Sequence, residues 1–283
     1  MPLLASAVGS SLGGLDVHVD HRWLMAYAAG IPDERPELYD TAAGVVAHPL
    51  FPVGPEWALI TSQRAEATGL TADELRRGIH IAHDLQIERP LRPGTVHLDA
   101  HIVGVGRRRT GATQQTLFTA TDADGAVLWR TLFTNLFLGV ELVGDPVEPE
   151  VGWPTAPEVP HTDAAPSSAT SVVRTVDAHV YSECARIWNP IHTDVLAARG
   201  AGLPAPILHG TATLARSVSL TTAMAGAPLA SVRRIAGRFS APVALGATFD
   251  VRLLAATPEH LWFDAVLPDG STAIANGLLG LSG

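Results

Sequence analysis

Between Arg234 and Leu281 apolar and polar positions follow one another in short runs: RIAGRFSAPV, TFDVRLLAAT, LWFDAVLP and TAIANGLLGL. Runs of this length predict β-strands, and the Asp269-Gly270 pair between the last two predicts a hairpin. Just upstream the period changes. In HGTATLARSVSLTTAMAG, which begins at His209, Leu214, Val218 and Leu220 supply part of an apolar helical face, and Gly226 suits its C-terminal stop. One helix followed by several antiparallel strands predicts an α+β unit in which the sheet wraps around the helix.

The same succession occurs earlier in the chain. VDHRWLMAYAAGI from Val19 matches VDAHVYSECARI from Val176 in outline. AHPLFPVGPEWALI from Ala47 stands where PILHGTATLARSV from Pro206 stands, and IERPLRPGTVHLDAHIVGV from Ile87 corresponds to RFSAPVALGATFDVRLLAA from Arg238. Both copies carry Pro-x-x-x-Gly, at Pro90/Gly94 and Pro242/Gly246, and both reach an Asp-Gly turn, Asp124-Gly125 in the first. Residues 144–170 lie between the copies. They carry six prolines and little periodicity, the composition of a semi-rigid linker. The expected organisation is an N-terminal unit over 1–143, a linker over 144–170 and a C-terminal unit over 171–283, with the two sheets joined side by side.

Composition narrows the chemistry. A chain of 283 residues with 47% hydrophobic and 17% charged residues is long and apolar enough to bury a sizeable core. A net charge of −9 argues against nucleic acid or an anionic membrane surface as the main partner. All 19 basic residues are Arg, which removes Schiff-base and phosphate-loop lysines. The single Cys184 excludes an internal disulfide and a multi-cysteine metal site. The N-terminal stretch has no basic region before its short apolar run, and no stretch reaches the length of a membrane span, so a cytoplasmic location is expected.

The chemistry concentrates in YSECARIWNPIHTDVLAARGAGLPAPILHG, from Tyr181 to Gly210. This stretch resembles the MaoC-like, or hydratase 2, family of hot-dog-fold enzymes. That signature runs Tyr-Ser, a few small residues, Gly-Asp-x-Asn-Pro-x-His, then Leu-His-Gly at the start of the hot-dog helix. Tyr181, Ser182, Asn189, Pro190, Ile191, His192 and Leu208-His209-Gly210 match it in type and spacing. The resemblance covers 181–216 strongly and extends over 171–283. The first half looks like the divergent N-terminal hot dog of double-hot-dog members. The implied fold is therefore α+β, a double hot dog.

The resemblance implies an acyl-thioester substrate, carried on coenzyme A or an acyl carrier protein, with no further cofactor. It implies reversible addition of water across a 2-enoyl thioester. His192 would move the proton, Asn189 would orient the site, and the Gly210 N–H would polarise the thioester carbonyl. A helix N-terminus suits that last role, because its unpaired N–H groups face developing negative charge.

One residue departs from the pattern: Ile187 stands where the signature has Asp. Isoleucine can neither accept a proton nor orient water. Three alternatives stay open. Another acid takes over, Glu183, Asp194, Asp33 or Asp40 being the candidates. Or the nucleophile is an amine, as suits polyketide-type biosynthesis of a 3-amino acyl group. Or the domain binds acyl thioesters without turning them over.

Other positions carry weaker signals. His209 is a second catalytic group or a structural histidine. Tyr181, Trp188 and Tyr39 are candidates for lining the acyl pocket, Tyr39 falling near the position of His192 and His48 near that of His209. The Arg107-Arg108-Arg109 cluster at a hairpin tip, and Arg233, Arg234 and Arg238, could meet substrate phosphates. His80/His83 and His97/His101 have paired spacing without a convergent third ligand, so no metal is expected. Homodimerisation is left open.

Overall fold

The computed structural model describes residues 2–61, 65–162 and 165–282; Asp163 and Ala164 of the expected linker lie outside the described residues. In the first half, β1 (Leu3–Leu4) and β2 (Ser11–Val19) lead to α1 (His21–Gly30), then α2 (Val53–Thr61) and the short α3 (Ala65–Thr68) and α4 (Ala72–Leu75). Four strands follow: β3 (Gly78–Ile87), β4 (Gly94–Arg108), β5 (Gly111–Thr121) and β6 (Val127–Leu138). After β7 (Leu142–Val143) the second half repeats the order with β8 (Ser167–Val172), α5 (Asp177–Ala185), α6 (Val195–Gly200) and α7 (Gly210–Ala225). It closes with β9 (Val232–Phe239), β10 (Thr248–Ala256), β11 (His260–Val266) and β12 (Thr272–Leu281).

Ten strands form one sheet in the order β2-β4-β5-β6-β3-β9-β12-β11-β10-β8. Read outward from the centre, both halves have the same order, so the sheet has a pseudo-twofold axis between β3 and β9. Those two strands pair antiparallel from Ala82 opposite Arg238 to Gln86 opposite Arg234. This is the double hot dog, two sheets joined edge to edge, each curled around its own helical layer. Joining β3 to β9 also removes two exposed sheet edges.

The helical layers differ. α7 is a single helix of 16 residues, buried on most of its circumference, and Gly226 ends it in a left-handed conformation at φ 64. In the first half α2 has only 9 residues before α3 and α4 take over. The Asp-Gly turns fall as expected, with Gly125 at φ 80 and Gly270 at φ 84, conformations glycine adopts at no steric cost.

The halves also interlock through α1 and α5. Gly30 lets the helices approach until an added Cβ would sit 2.7 Å from that of Cys184. Trp23 Nε1 donates to the Cys184 carbonyl at 3.1 Å, and the Tyr27 and Tyr181 rings meet edge on at 5.9 Å. The proline-rich stretch packs along the structure. Pro154 O accepts from Arg234, Pro157 O accepts from Trp262 Nε1, and Val147 bridges to Val105. Its last residues differ from the expected linker: from Ser167 they are β8, the edge strand paired with β10.

Candidate active site

α5 ends at Ala185 because Arg186 turns left-handed, at φ 59, in the position where the signature has Gly. The Arg186 guanidinium lies 3.9 Å over the Trp23 ring of the first half. Ile187 N–H then closes the helix end by donating to the Ser182 carbonyl at 3.0 Å. Asn189 caps a short 3-10 turn, Pro190–His192, with its Oδ1 accepting from Ile191 N–H at 3.4 Å. Proline suits the first position of such a turn. The turn delivers His192 inward, where it is 8% exposed.

Two histidines meet there. His192 Nδ1 faces the Ile207 carbonyl at 2.9 Å; a carbonyl only accepts, so Nδ1 carries the hydrogen and Nε2 is left as an acceptor. The ring stacks on His209 at 3.7 Å and 23°. His209 Nε2 faces the Ile187 carbonyl at 3.3 Å and Ser182 Oγ at 3.1 Å, so it is the donor of that ring. Burial lowers the His192 pKa to about 4. Burial and then the His192 charge hold His209 well below its ordinary value. Both rings are neutral at pH 7.

Gly210 follows His209 as the first residue of α7, whose N-terminus has no side-chain cap. Its first N–H groups therefore lack intrahelical partners. A Cβ on Gly210 would meet Phe239 Cδ1 at 2.9 Å, so the ring of Phe239 fills the space a side chain would need. An open cleft of about 360 Å³ lies beside this group, lined by His179, Ser182, Glu183, Trp188, Pro190 and Thr193. Ser182 belongs to both the cleft wall and the His209 hydrogen bond.

The structure thus brings His192, His209, Ser182 and Gly210 together and sends several expected residues elsewhere. Glu183 does not share a helical face with Ile187, because α5 stops between them; it accepts from Trp188 Nε1 at 3.2 Å, and Trp188 is 57% exposed. Asp194 caps α6, accepting from Leu196 and Ala197 N–H. Asp40 accepts from Ala42 and Ala43 N–H, and Asp33 is paired with Arg35 and Ser219. Among the described residues no carboxylate bonds to either site imidazole. Ile187 itself is 5% exposed and joins the core.

Tyr181 is buried, with its hydroxyl donating to Thr211 Oγ1 at 3.1 Å, and burial pushes its pKa to about 12. The first-half counterpart of the His192 turn is Pro36–Leu38, so Leu38 holds the position corresponding to His192; Tyr39 is one residue later and donates to the Asp33 carbonyl. His48 does not cap α2 as His209 caps α7. Leu50 N–H donates to its Nδ1, so its Nε2–H faces Ser219 Oγ at 3.3 Å, and Ser219 donates to Asp33 at 2.6 Å, a relay tying the first half to α7. Arg107 and Arg108 end β4 at the expected hairpin tip. Among the described residues no cluster of three His, Cys, Asp or Glu could hold a metal ion, and no helix is long and apolar enough to cross a membrane.

Phe239 and the Ile207 carbonyl were not legible as site components, because neither belongs to the signature and each reaches the histidines only through folding.

The fold is that of a double hot-dog protein, with the paired histidines forming a candidate site at the N-terminus of one central helix. Residues 158–261, in the second half, match the family model of the MaoC like domain. The chain is 28% identical over 241 residues to peroxisomal multifunctional enzyme type 2 of Drosophila melanogaster, covering 81% of this chain and 40% of that enzyme. It therefore spans well under half the length of that relative. It is 25% identical over 226 residues to the enoyl-CoA hydratase ChsH3 of Mycobacterium tuberculosis, covering 79% of this chain and 73% of that one. Among solved structures, a MaoC-like dehydratase from Phytophthora capsici superposes with a TM-score of 0.79 at 21% identity, over 95% of this chain and 94% of that one.

Proposed function

We propose that this chain catalyses reversible addition and elimination at C3 of an α,β-unsaturated acyl-CoA thioester, as a hydratase or dehydratase. The observation that carries this reading is the His192 ring: Nδ1 is fixed on a carbonyl, and Nε2 is an unprotonated acceptor beside the uncapped N-terminus of α7. In the hydration direction the oxygen of water bonds to C3 while Nε2 takes one of its protons. Electrons move to the thioester oxygen, where the first N–H groups of α7 meet the charge. The imidazolium then returns the proton to C2. An oxyanion donor of this kind is worth about 3–4 kcal/mol. The name of one relative, an enoyl-CoA hydratase, supports an acyl-CoA substrate, and the coenzyme A arm arrives as part of it.

A second reading has its own support. With Ile187 in the Asp position, no carboxylate balances the imidazolium, and burial already disfavours it. A neutral amine adds to C3 without prior deprotonation, and His192 then needs only to take a proton from the resulting ammonium. Carrier-protein substrates and a polyketide setting belong with this reading.

Mass spectrometry of trans-2-enoyl-CoA incubated with wild type and His192→Ala, with and without added amino acids, tests both. A water adduct lost in the variant supports hydration. An amine adduct without hydration supports the second reading. Binding with no adduct of either kind overturns both and leaves an acyl-binding module.

A further inference from the structure

The two hot dogs share a fold but not the chemistry of their inner faces. In the second half the residues facing the helix include Phe249, Val251, Leu261, Phe263, Ile274 and Leu279, all buried and apolar. In the first half the matching face turns polar at one end. Gln114 and Thr116 lie on β5 in step with the core residue Phe118, Asn135 lies on β6 in step with Phe133, and His83 lies on β3 in step with Leu85.

Register spreads these groups over three neighbouring strands, with Phe133 and Asn135 of β6 between Gln114 on β5 and His83 on β3. Gln114 is opposite Asn135, and Thr116 is opposite Phe133. Phe133 is in turn opposite His83, and Asn135 opposite His80. On its other side His83 is opposite Gly237, so the patch reaches the seam between the halves.

The patch is buried and incompletely paired. His83 is 1% exposed and neither ring nitrogen has a partner; Gln114 is fully buried, and its Oε1 has none, although its Nε2 donates to Thr116 Oγ1 at 3.0 Å. Leaving such groups unpaired costs about 1–3 kcal/mol each. A merely structural core would use the apolar residues that the second half uses.

The patch is also one aromatic ring from the candidate active site. His80 stacks on Phe133 at 3.9 Å and lies 4.6 Å from the Phe239 ring. Phe239 is the ring that occupies the space beside Gly210. An acyl chain with its thioester at the α7 N-terminus would meet this patch if its tail displaced the Phe239 ring. Burial holds the His83 pKa at about 3, so its ring is neutral, with one donor and one acceptor. With Gln114 Oε1 the unmet set is one donor and two acceptors. A hydroxyl group accepts from the donor and donates to one of the two acceptors, meeting two of the three. A plain hydrocarbon meets none.

We propose that His83 and Gln114, with Asn135 and His80 beside them, form a recognition site for a hydroxyl group on the distal acyl chain, so that the substrate class is hydroxylated acyl thioesters. This rests on the acyl-thioester reading above.

Calorimetry on the full chain tests it without needing turnover. The probes are saturated acyl-CoA thioesters of matched length, plain or with one hydroxyl moved along the tail. For one hydroxyl position, wild type binds the hydroxylated chain about tenfold more tightly than the plain one, the size of one to two net hydrogen bonds. His83→Leu removes that preference while plain chains still bind, and Gln114→Leu reduces it. His83→Leu also raises the melting temperature, because an unpaired imidazole leaves the core; a histidine held there for packing would lower it.

Equal affinity for plain and hydroxylated chains at every position, as bound water alone would give, overturns the proposal. So does a preference that survives His83→Leu, or no binding of any chain. A hydroxyl preference without any hydratase or amine-addition product would overturn the proposed reaction and leave this site standing. Turnover of enoyl-CoA with no hydroxyl preference would do the reverse.

Discussion

His192 and His209 lie face to face, 3.7 Å apart, and each ring spends one nitrogen on a backbone carbonyl, Ile207 for the first and Ile187 for the second. The stack fixes both tautomers and both ring planes before any substrate arrives. Ile187 takes part through its backbone carbonyl alone, a contact that any residue at that position could make.

The proposed role of His192 as base predicts the pH profile. Its pKa is lowered to about 4, so the active neutral form persists from alkaline pH down to that value. Steady-state kcat/KM measured against pH stays flat from about pH 8 to pH 5 and declines only below. A break near the ordinary histidine value of about 6.5 would show that His192 is not the titrating base.

Ile187→Asp restores the signature's carboxylate beside the histidine pair. Burying a charge at a 5% exposed position lowers the melting temperature. If water is the nucleophile, hydration rises by about a hundredfold, the usual contribution of a positioned acid or base. Hydration rates of the two proteins at equal enoyl-CoA concentration decide the point. An unchanged rate would mean that the site does not use water.

Arg186 balances two terms. A left-handed non-glycine residue costs about 1–2 kcal/mol, and a cation over the buried Trp23 indole returns about 1–2 kcal/mol. Arg186→Gly loses the Trp23 contact and the strain together and stays near wild-type stability. Arg186→Ala loses only the contact and falls about 1 kcal/mol below the glycine variant. Urea denaturation of the three proteins measures the difference.

Glu56 makes the first half sensitive to alkali. It is buried, with Oε1 accepting from Trp129 and Thr131 and Oε2 unpaired, and burial raises its pKa to about 7. A raised carboxyl pKa gives stability that is present below the unfolded value of 4.5 and lost as pH rises through about 7. Wild type therefore loses up to about 3 kcal/mol across that window from this group. Glu56→Gln flattens the dependence, as chemical denaturation at pH 5 and pH 8 would show.

Acid acts through the buried histidines. Burial lowers His48 and His83 to about 3 and His192 to about 4, so each contributes stability that is present above the unfolded value of 6.5 and lost as pH falls. Unfolding near pH 5 then takes up about three protons from these groups. The melting temperature drops between pH 7 and pH 5; burial holds His80 and His209 well below the ordinary value too, so His83→Leu removes one of five such groups and reduces that drop by about a fifth.

How much of this was legible in the sequence depended on how local each signal was. α7 with its Gly226 stop, the strands from β9 to β12 and the Asp-Gly turns are set by neighbours in sequence, and they fall where the pattern predicts. The Asn-Pro-x-His turn is equally local, and it does deliver His192 inward. β8 is different: SSATSV reads as the tail of a linker and becomes a strand only because β10 offers it an edge. Tyr39 falls near the counterpart of His192, as expected, one residue past it; Pro-Glu-Leu gives the same turn as Pro-Ile-His with no chemistry to mark the exact register. The carboxylates near His192 in sequence went to caps and pairs, and caps are decided by helix ends that the sequence locates only to within a residue or two.

The continuous sheet through β3 and β9 has a genetic consequence. Where two identical chains pair, every substitution appears in both copies, and a change that improves one face damages its mirror. Here the partners are written once each in a single chain. The first copy can carry Leu at position 38 and polar side chains beneath its helix, while the second carries a histidine pair at the head of an unbroken one. Covalent linkage holds the pair at fixed stoichiometry at any dilution, so neither copy ever has to serve as both partners.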